Sequence, residues 1–153
     1  SFKFALAEGA TAIGDFNFID ATRALIIERD NGEGDPSLKC AGDPAPDCFP
    51  APAMIKRIVM VDTASVDETG HVRRIGHIDL MKIADPDKKA RKPLNDGVLT
   101  FPFFTIENVD VVDATHIVVG NDNNLPFSSS RDPNKADDNE LILLEVGEFL
   151  KAR

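Results

Sequence analysis

Short apolar runs rich in β-branched residues recur along the chain, each bounded by Asn, Asp, Gly, Pro or Ser, and runs of this kind predict strands. They fall at residues 14–19 (GDFNFI), 24–27 (ALII), 55–62 (IKRIVMVD), 72–80 (VRRIGHIDL), 107–112 (ENVDVV), 117–119 (IVV) and 140–146 (ELILLEV). Two of them end in a polar tetrad. After Ile117, Val118 and Val119 come Gly120 and then Asn121, Asp122, Asn123 and Asn124. Several carboxamides and a carboxylate cannot enter a core without partners for every lone pair and N–H. The tetrad is therefore expected at a strand end, facing water, a metal ion or a ligand. An Asn/Asp turn is the simpler alternative.

The same pattern occurs earlier. DATRALIIERDN (residues 20–31) aligns with DATHIVVGNDNN (113–124) at a constant offset, 113 − 20 = 93. Each copy has a strand before Asp-Ala-Thr, with Asp15 or Glu107 near its start, and a long polar insertion followed by a third strand after the tetrad. The first copy adds a fourth strand after a turn at Glu68, Thr69 and Gly70. Four antiparallel strands per repeat is the blade of a β-propeller. A β-sandwich shares the short strands but gives no reason for acidic residues to return to the same strand ends.

The expected fold is all-β, with about two propeller blades and long loop insertions. Repeat one covers about 10–80, an insertion 81–98 and repeat two about 99–146. Because about 4 to 8 blades close a ring, residues 1–153 are expected to form the C-terminal part of a larger propeller. An N-terminal fragment or another subunit would complete it. Within the insertion, Pro86 and Pro93 leave room for one short helix. LTFPFF (99–104) is expected to pack between blades, and residues 147–153 form a tail.

Composition narrows the partners. A formal net charge of −9, with 26 acidic against 17 basic residues, argues against nucleic acid, whose phosphates it would repel. It suits divalent cations. The basic stretch 82–92 reads as a solvated loop. No apolar run approaches membrane-spanning length. Cys40 and Cys48 share a Pro-, Gly- and Asp-rich loop that a disulfide would staple, which points to an oxidising compartment; two free thiols are the alternative.

Side chains two apart on a strand share a face, so Glu28 with Asp30, and Asn121 with Asn123, are expected to point the same way. With Asp15, Glu107 and Asp122 they offer hard oxygen ligands of the kind calcium takes. Arg29, Asn123, Asn124 and Arg131 are candidate contacts for a small anionic ester. Ser128 to Ser130 read as a turn, and Asp137, Asp138, Asn139 and Glu140 as a solvated one. No GxSxG elbow is present, and His71, His77 and His116 lie away from the tetrads.

GDFNFID, LIIERDNGEGD, IKRIVMVD, FPFFTIENVDVVD and VVGNDNNLPFSSSRDPNKADDNELILLEV resemble, in order, the C-terminal half of the family called esterase-like activity of phytase. The resemblance implies a secreted or periplasmic β-propeller, calcium-associated and hydrolase-like, acting on phosphate or carboxylic esters. It carries over Glu28, Asp30, Glu107, Asn121 and Asp122 as channel-mouth residues. By this resemblance the family's N-terminal half is expected to be absent from residues 1–153, and the cysteine loop looks like an insertion. The rival expectation is a non-catalytic propeller with a structural metal ion that binds a partner protein or a glycan. A lactonase-like propeller differs only in substrate.

Overall fold

The computed structural model describes residues 1–92 and 94–153. Three antiparallel sheets and one short helix make up the regular structure. The first sheet is a meander of β1 (Ala12–Phe18), β2 (Arg23–Arg29), β3 (Lys56–Val66) and β4 (Val72–Asp79), in that spatial order. The second is a meander of β7 (Thr105–Val111), β8 (His116–Asp122) and β9 (Leu141–Glu145). Between them, β5 (Ile83–Ala84) and β6 (Val98–Leu99) pair as a small ribbon.

The offset of 93 holds in the strand pairing itself. Ala12 faces Arg29 and Ile13 faces Glu28; 93 residues on, Thr105 faces Asp122 and Ile106 faces Asn121. Both hairpins then carry an irregularity before Phe16–Ile26 and its counterpart Val109–Val119. The Asp-Ala-Thr tripeptide forms the same turn twice. Asp20 Oδ1 accepts the N–H groups of Thr22 and Arg23, and Asp113 Oδ1 accepts those of Thr115 and His116. The N–H groups of Thr22 and Arg23 with the Arg23 guanidinium hold Asp20 at about 2, and the Thr115 N–H with the His116 ring and the Thr115 hydroxyl holds Asp113 at about 2.

In the third strand the offset shrinks. Ala24 pairs with Val61 and Ile117 with Leu144; since 61 − 24 = 37 and 144 − 117 = 27, the first copy is ten residues longer. The excess lies in the β2–β3 loop, where Cys40 and Cys48 are joined by a disulfide. Phe49 is buried there, lying so close to Gly34 that a Cβ on Gly34, at φ +93°, would lie 2.2 Å from its ring.

Alternation gives each sheet two faces. On the first, the front face carries Leu25, Ile27, Ile58 and Met60, all buried in one core with Phe101, Phe103, Ile106, Val109, Ile117, Val119 and Leu144. The back face carries Ala24, Ile26, Val59, Val61 and Val72 in a separate cluster, covered by Phe4 and Phe16. The core face of the second sheet corresponds, at offset 93, to the back of the first: Ile117 and Val119 match Ala24 and Ile26. The two sheets therefore stack front to back. Each fully buried aliphatic or aromatic side chain contributes about 1.5–3 kcal/mol, and LTFPFF puts Phe101 and Phe103 between the sheets for that reason.

The insertion departs from expectation. No helix forms between Met81 and Asp96 among the described residues; the β5–β6 ribbon and turns, with Lys88 and Asp96 at positive φ, replace it. Pro93 lies outside the described residues. Among the described residues the second sheet has three strands against four in the first, and α1 (Gly147–Lys151) follows its third. Arg23 anchors that helix by donating from Nη1 to the carbonyls of Leu150 at 2.6 Å and Ala152 at 2.9 Å.

Candidate functional site

Strand direction divides the molecule into two ends. The tight turns at residues 19–22, 67–71 and 112–115 lie at one end, and the long connections 30–55, 80–104 and 123–140 at the other. Both polar tetrads close strands at the loop end.

Within ERDNGEGD every carboxylate has a task. Asp30 Oδ2 accepts the N–H groups of Met54 at 2.8 Å and Ile55 at 2.9 Å, while Oδ1 lies 3.1 Å from Lys56 Nζ. Lys56 is fully buried and also donates to the carbonyls of Asp30, Gly32 and Phe104. Burial pulls the Lys56 ammonium down to about 8, against the opposing pull of Asp30. Glu33 reaches the other copy's loop, accepting from Ser129 N and from Ser130 Oγ at 3.4 Å. Asp35 accepts from Thr100 Oγ1 and caps a short 3-10 turn at Ser37 N.

The second tetrad grips its own loop. Asn121 Oδ1 accepts Glu140 N at 2.6 Å and its Nδ2 donates to Asp138 O; Asn123 Nδ2 donates to Asp137 O. The paired carboxamides do point the same way, towards residues 137–140. Asn124, at φ 45°, donates to Thr105 Oγ1 and Ser128 Oγ.

The turn read at Ser128 to Ser130, the solvated turn at 137–140 and the solvated loop at 82–92 each need correction in part, since Asp138 and Asn139 are exposed as expected but their neighbours are not. Ser128, Ser130, Asp137 and Glu140 are buried. Asp137 is held inside because it accepts the N–H groups of Ser130 and Arg131. Glu140 is held by a fork from Arg131, at 3.1 Å from Nε and 2.8 Å from Nη2, and by Lys92 at 2.8 Å. Arg131 also donates from Nη1 to Thr100 O and lies 5.1 Å over the Phe103 ring. Its guanidinium is therefore engaged within the fold, and Lys92 belongs to an ion pair instead of a wholly solvated loop.

The five residues expected around calcium do not converge. Glu28 is buried on the back face, gripped by Arg74 at 3.0 and 2.9 Å and by Ala7 N at 2.6 Å. Asp30 turns instead to Lys56, so the expected common face of Glu28 and Asp30 is not formed: Asp30 lies past the last residue of β2, where alternation no longer applies. Glu107 and Asp122 are exposed, and Asn121 is occupied by Glu140 N. Asp15 stands inside β1, tying it to β7 by accepting Val109 N at 3.0 Å. Among the described residues no group of three or more His, Cys, Asp or Glu is arranged to hold a metal ion. The oxygens of Glu28, Asp30 and Asn121 are given to cations and N–H groups, and Glu107 and Asp122 stand exposed apart from them, so the five as placed do not fit one calcium ion.

Burial alone would raise the Glu28 and Glu140 carboxyls, but their Arg and Lys partners outweigh it and hold both below the usual range. A carboxyl depressed in the folded state stabilises it above the unfolded value, about 4.3, and that stability is lost as pH falls through the lower folded value. We therefore expect the urea midpoint to be level near neutrality and to fall below pH 4, with a shallower fall in Glu28→Gln. An unchanged wild-type midpoint at pH 3 would contradict the assignment.

Arg29 is the exception to this engagement. Its guanidinium lies 5.6 Å over the Phe104 ring and donates from Nη1 to Asn31 Oδ1 at 3.0 Å, while its Nε is buried with no hydrogen-bond partner among the described residues. Phe104 is a hub here, because its carbonyl accepts from Lys56 and its N–H donates to Ser130 Oγ. The structure thus gathers Arg29, Asp30, Glu33, Ser129 and Ser130 around Phe104. It leaves Glu28 and Glu107 elsewhere.

Sequence reasoning missed Lys56 and Glu33. Lys56 had a signal, since alternation puts it on the face of Ile58 and Met60. A groove of about 990 Å³ between residues 78–92 and β9 is a separate feature.

Comparison with known proteins agrees with the motifs as far as Leu125. The sequence model of the phytase-like family, described as esterase-like activity of phytase, matches residues 1–125 of the 153. No curated protein and no solved structure matches the chain. Residues 1–125 hold the first repeat, the insertion and the second tetrad, so the chain belongs to the phytase-like family, esterase-like activity of phytase.

Proposed function

We propose that the chain is part of a β-propeller hydrolase that acts on phosphate or carboxylic esters, with its site at the loop end beside Arg29 and Phe104. Family membership suggests hydrolase-like chemistry, and the disulfide is compatible with a periplasmic or extracellular location. The remaining blades come from an N-terminal fragment or another subunit.

One observation carries the reading. Arg29 is a cation pinned by an aromatic ring at the end where both repeated tetrads and the long loops lie. A guanidinium recognises the oxygens of a phosphate or carboxylate. Placed where negative charge develops on an ester oxygen, it stabilises the transition state more than the ground state. Asn31 orients its Nη1, and Asn123 and Asn124 set the rim. Arg131 acts here as a positioning residue that holds the Ser128–Ser130 loop against Glu33.

The test is turnover of p-nitrophenyl phosphate and p-nitrophenyl acetate by the purified protein. Arg29→Ala should lower kcat/KM by about 10- to 100-fold, the worth of one charge-assisted hydrogen bond, with the thermal midpoint nearly unchanged. A wild-type protein inert towards both esters would overturn the enzymatic reading. A non-catalytic propeller that binds a partner protein or a glycan would then be preferred, and the engagement of Glu28, Asp30 and Glu140 in ion pairs favours it.

A further inference from the structure

The insertion between the two sheets concentrates positive charge, with Lys88, Lys89, Arg91 and Lys92 close together in sequence. Lys88, Lys89 and Arg91 are exposed. From Pro86 to Lys92 one backbone–backbone hydrogen bond is made among the described residues, from Lys88 N to Asp85 O at 3.1 Å. The Asp85 carboxylate supplies the other ties, accepting Lys89 N at 2.9 Å and Ala90 N at 2.8 Å. Asp85 is itself fixed to the ribbon by donating its N–H to Gly97 O. The whole turn hangs from that residue.

An endopeptidase takes its substrate as an extended strand, so it cuts where several residues can leave the fold together at little cost. The turn at 86–92 meets that condition. Arg57, Arg73 and Arg74 do not, because their backbones are paired within the first sheet. Lys39 and Lys135 are exposed on loops but closed in. Beside Lys39, Cys40 N donates to Phe49 O next to the disulfide. Lys135 N donates to Asp132 O, and Asp137 N, two residues on, donates to Ser128 O.

A cut in this turn leaves the molecule in one piece. Hydrolysis after Arg91 adds water across one peptide bond and leaves a carboxylate on Arg91 and an ammonium on Lys92. The next bond, Lys92–Pro93, presents no N–H to such an enzyme. The first part then holds the four-stranded sheet and β5, and the second holds β6, the three-stranded sheet and α1. Three links cross the cut: the pairing of Ala84 with Val98, the bond from Arg23 to Leu150 O, and the core in which Leu25 and Ile58 lie with Phe101 and Phe103. The change is local. Lys92 stays on the second part with Glu140, at 2.8 Å, and residues 85–91 become a free end on the wall of the groove beside β9.

We propose that residues 88–92 are a processing site for an endopeptidase that cuts after Lys or Arg, and that the product is a two-part molecule held by its shared core. The proposal is independent of ester hydrolysis.

Limiting trypsin on the folded, non-reduced protein tests it, with intact mass read under native and denaturing conditions. The first cut should fall after Lys88, Lys89 or Arg91, and the product should keep the native mass of the uncut protein, give or take one water, yet separate into two pieces on denaturation. Lys88→Gln, Lys89→Gln and Arg91→Gln together should abolish that cut with the thermal midpoint nearly unchanged. Asp85→Ala should speed it about fivefold, since cleavage follows the open population and the carboxylate's hydrogen bonds are gone. No cut within 88–92, a first cut after Lys39 or Lys135, or pieces that separate before denaturation would overturn the proposal. A rate unchanged by Asp85→Ala would overturn the turn at Asp85 as the element that controls access.

Discussion

Lys56→Met is expected to destabilise the protein by about 3–5 kcal/mol, the range seen when one partner of a buried ion pair is removed. Methionine fills similar volume, so the loss is electrostatic and not a cavity effect. The Asp30 carboxylate would lose its cation, and the carbonyls of Asp30, Gly32 and Phe104 would lose a shared donor. Since those carbonyls belong to two different connections, the end of β2 and the start of β7 should loosen together. Equilibrium urea unfolding of wild type and variant measures the difference. A loss below about 1 kcal/mol, the scale of an exposed pair, would mean that Lys56 reaches water in solution.

Arg131→Ala is the second large effect, and it separates two roles for one residue. Held by Glu140, Thr100 O and the rings of Phe101 and Phe103, Arg131 should cost about 3 kcal/mol when removed, because Glu140 stays buried with only Lys92 beside it. Thermal unfolding would register this as a lower midpoint. If the midpoint holds while KM for p-nitrophenyl phosphate rises, Arg131 contacts substrate and its ion pair is incidental.

The strand pattern was legible because it is local. Alternation and the Asp-Ala-Thr turns placed both hairpins, and the constant offset of 93 turned out to be a constant register. Polar residues with distant partners were not legible. Asp137 looks solvated in sequence because nothing says that the N–H groups of Ser130 and Arg131 turn towards it, and Glu140 because nothing says that the Arg131 and Lys92 side chains fold back over it. Ser130 looks like a turn residue because Glu33, which it meets, is 97 positions away. Glu28 and Asp30 illustrate a subtler limit. Period-two alternation assigns a face only while the strand lasts, and β2 ends at Arg29. The helix expected in the insertion failed for a local reason, since turns and a two-residue ribbon used the same polar stretch.

The β2–β3 loop is tied off at its foot. Cys40 N donates to Phe49 O, Phe49 N donates to Leu38 O, and the disulfide spans what lies beyond. The ten residues by which the two copies differ fall within this loop, and the strands on either side of it pair in the same register in both copies. The molecule therefore has two tempos of change: a frame in which one inserted residue would turn every side chain to the wrong side, and a rim on which whole segments can come and go. A peptide tag or a fluorophore placed between Asp43 and Pro46 would ride on that rim without disturbing the frame.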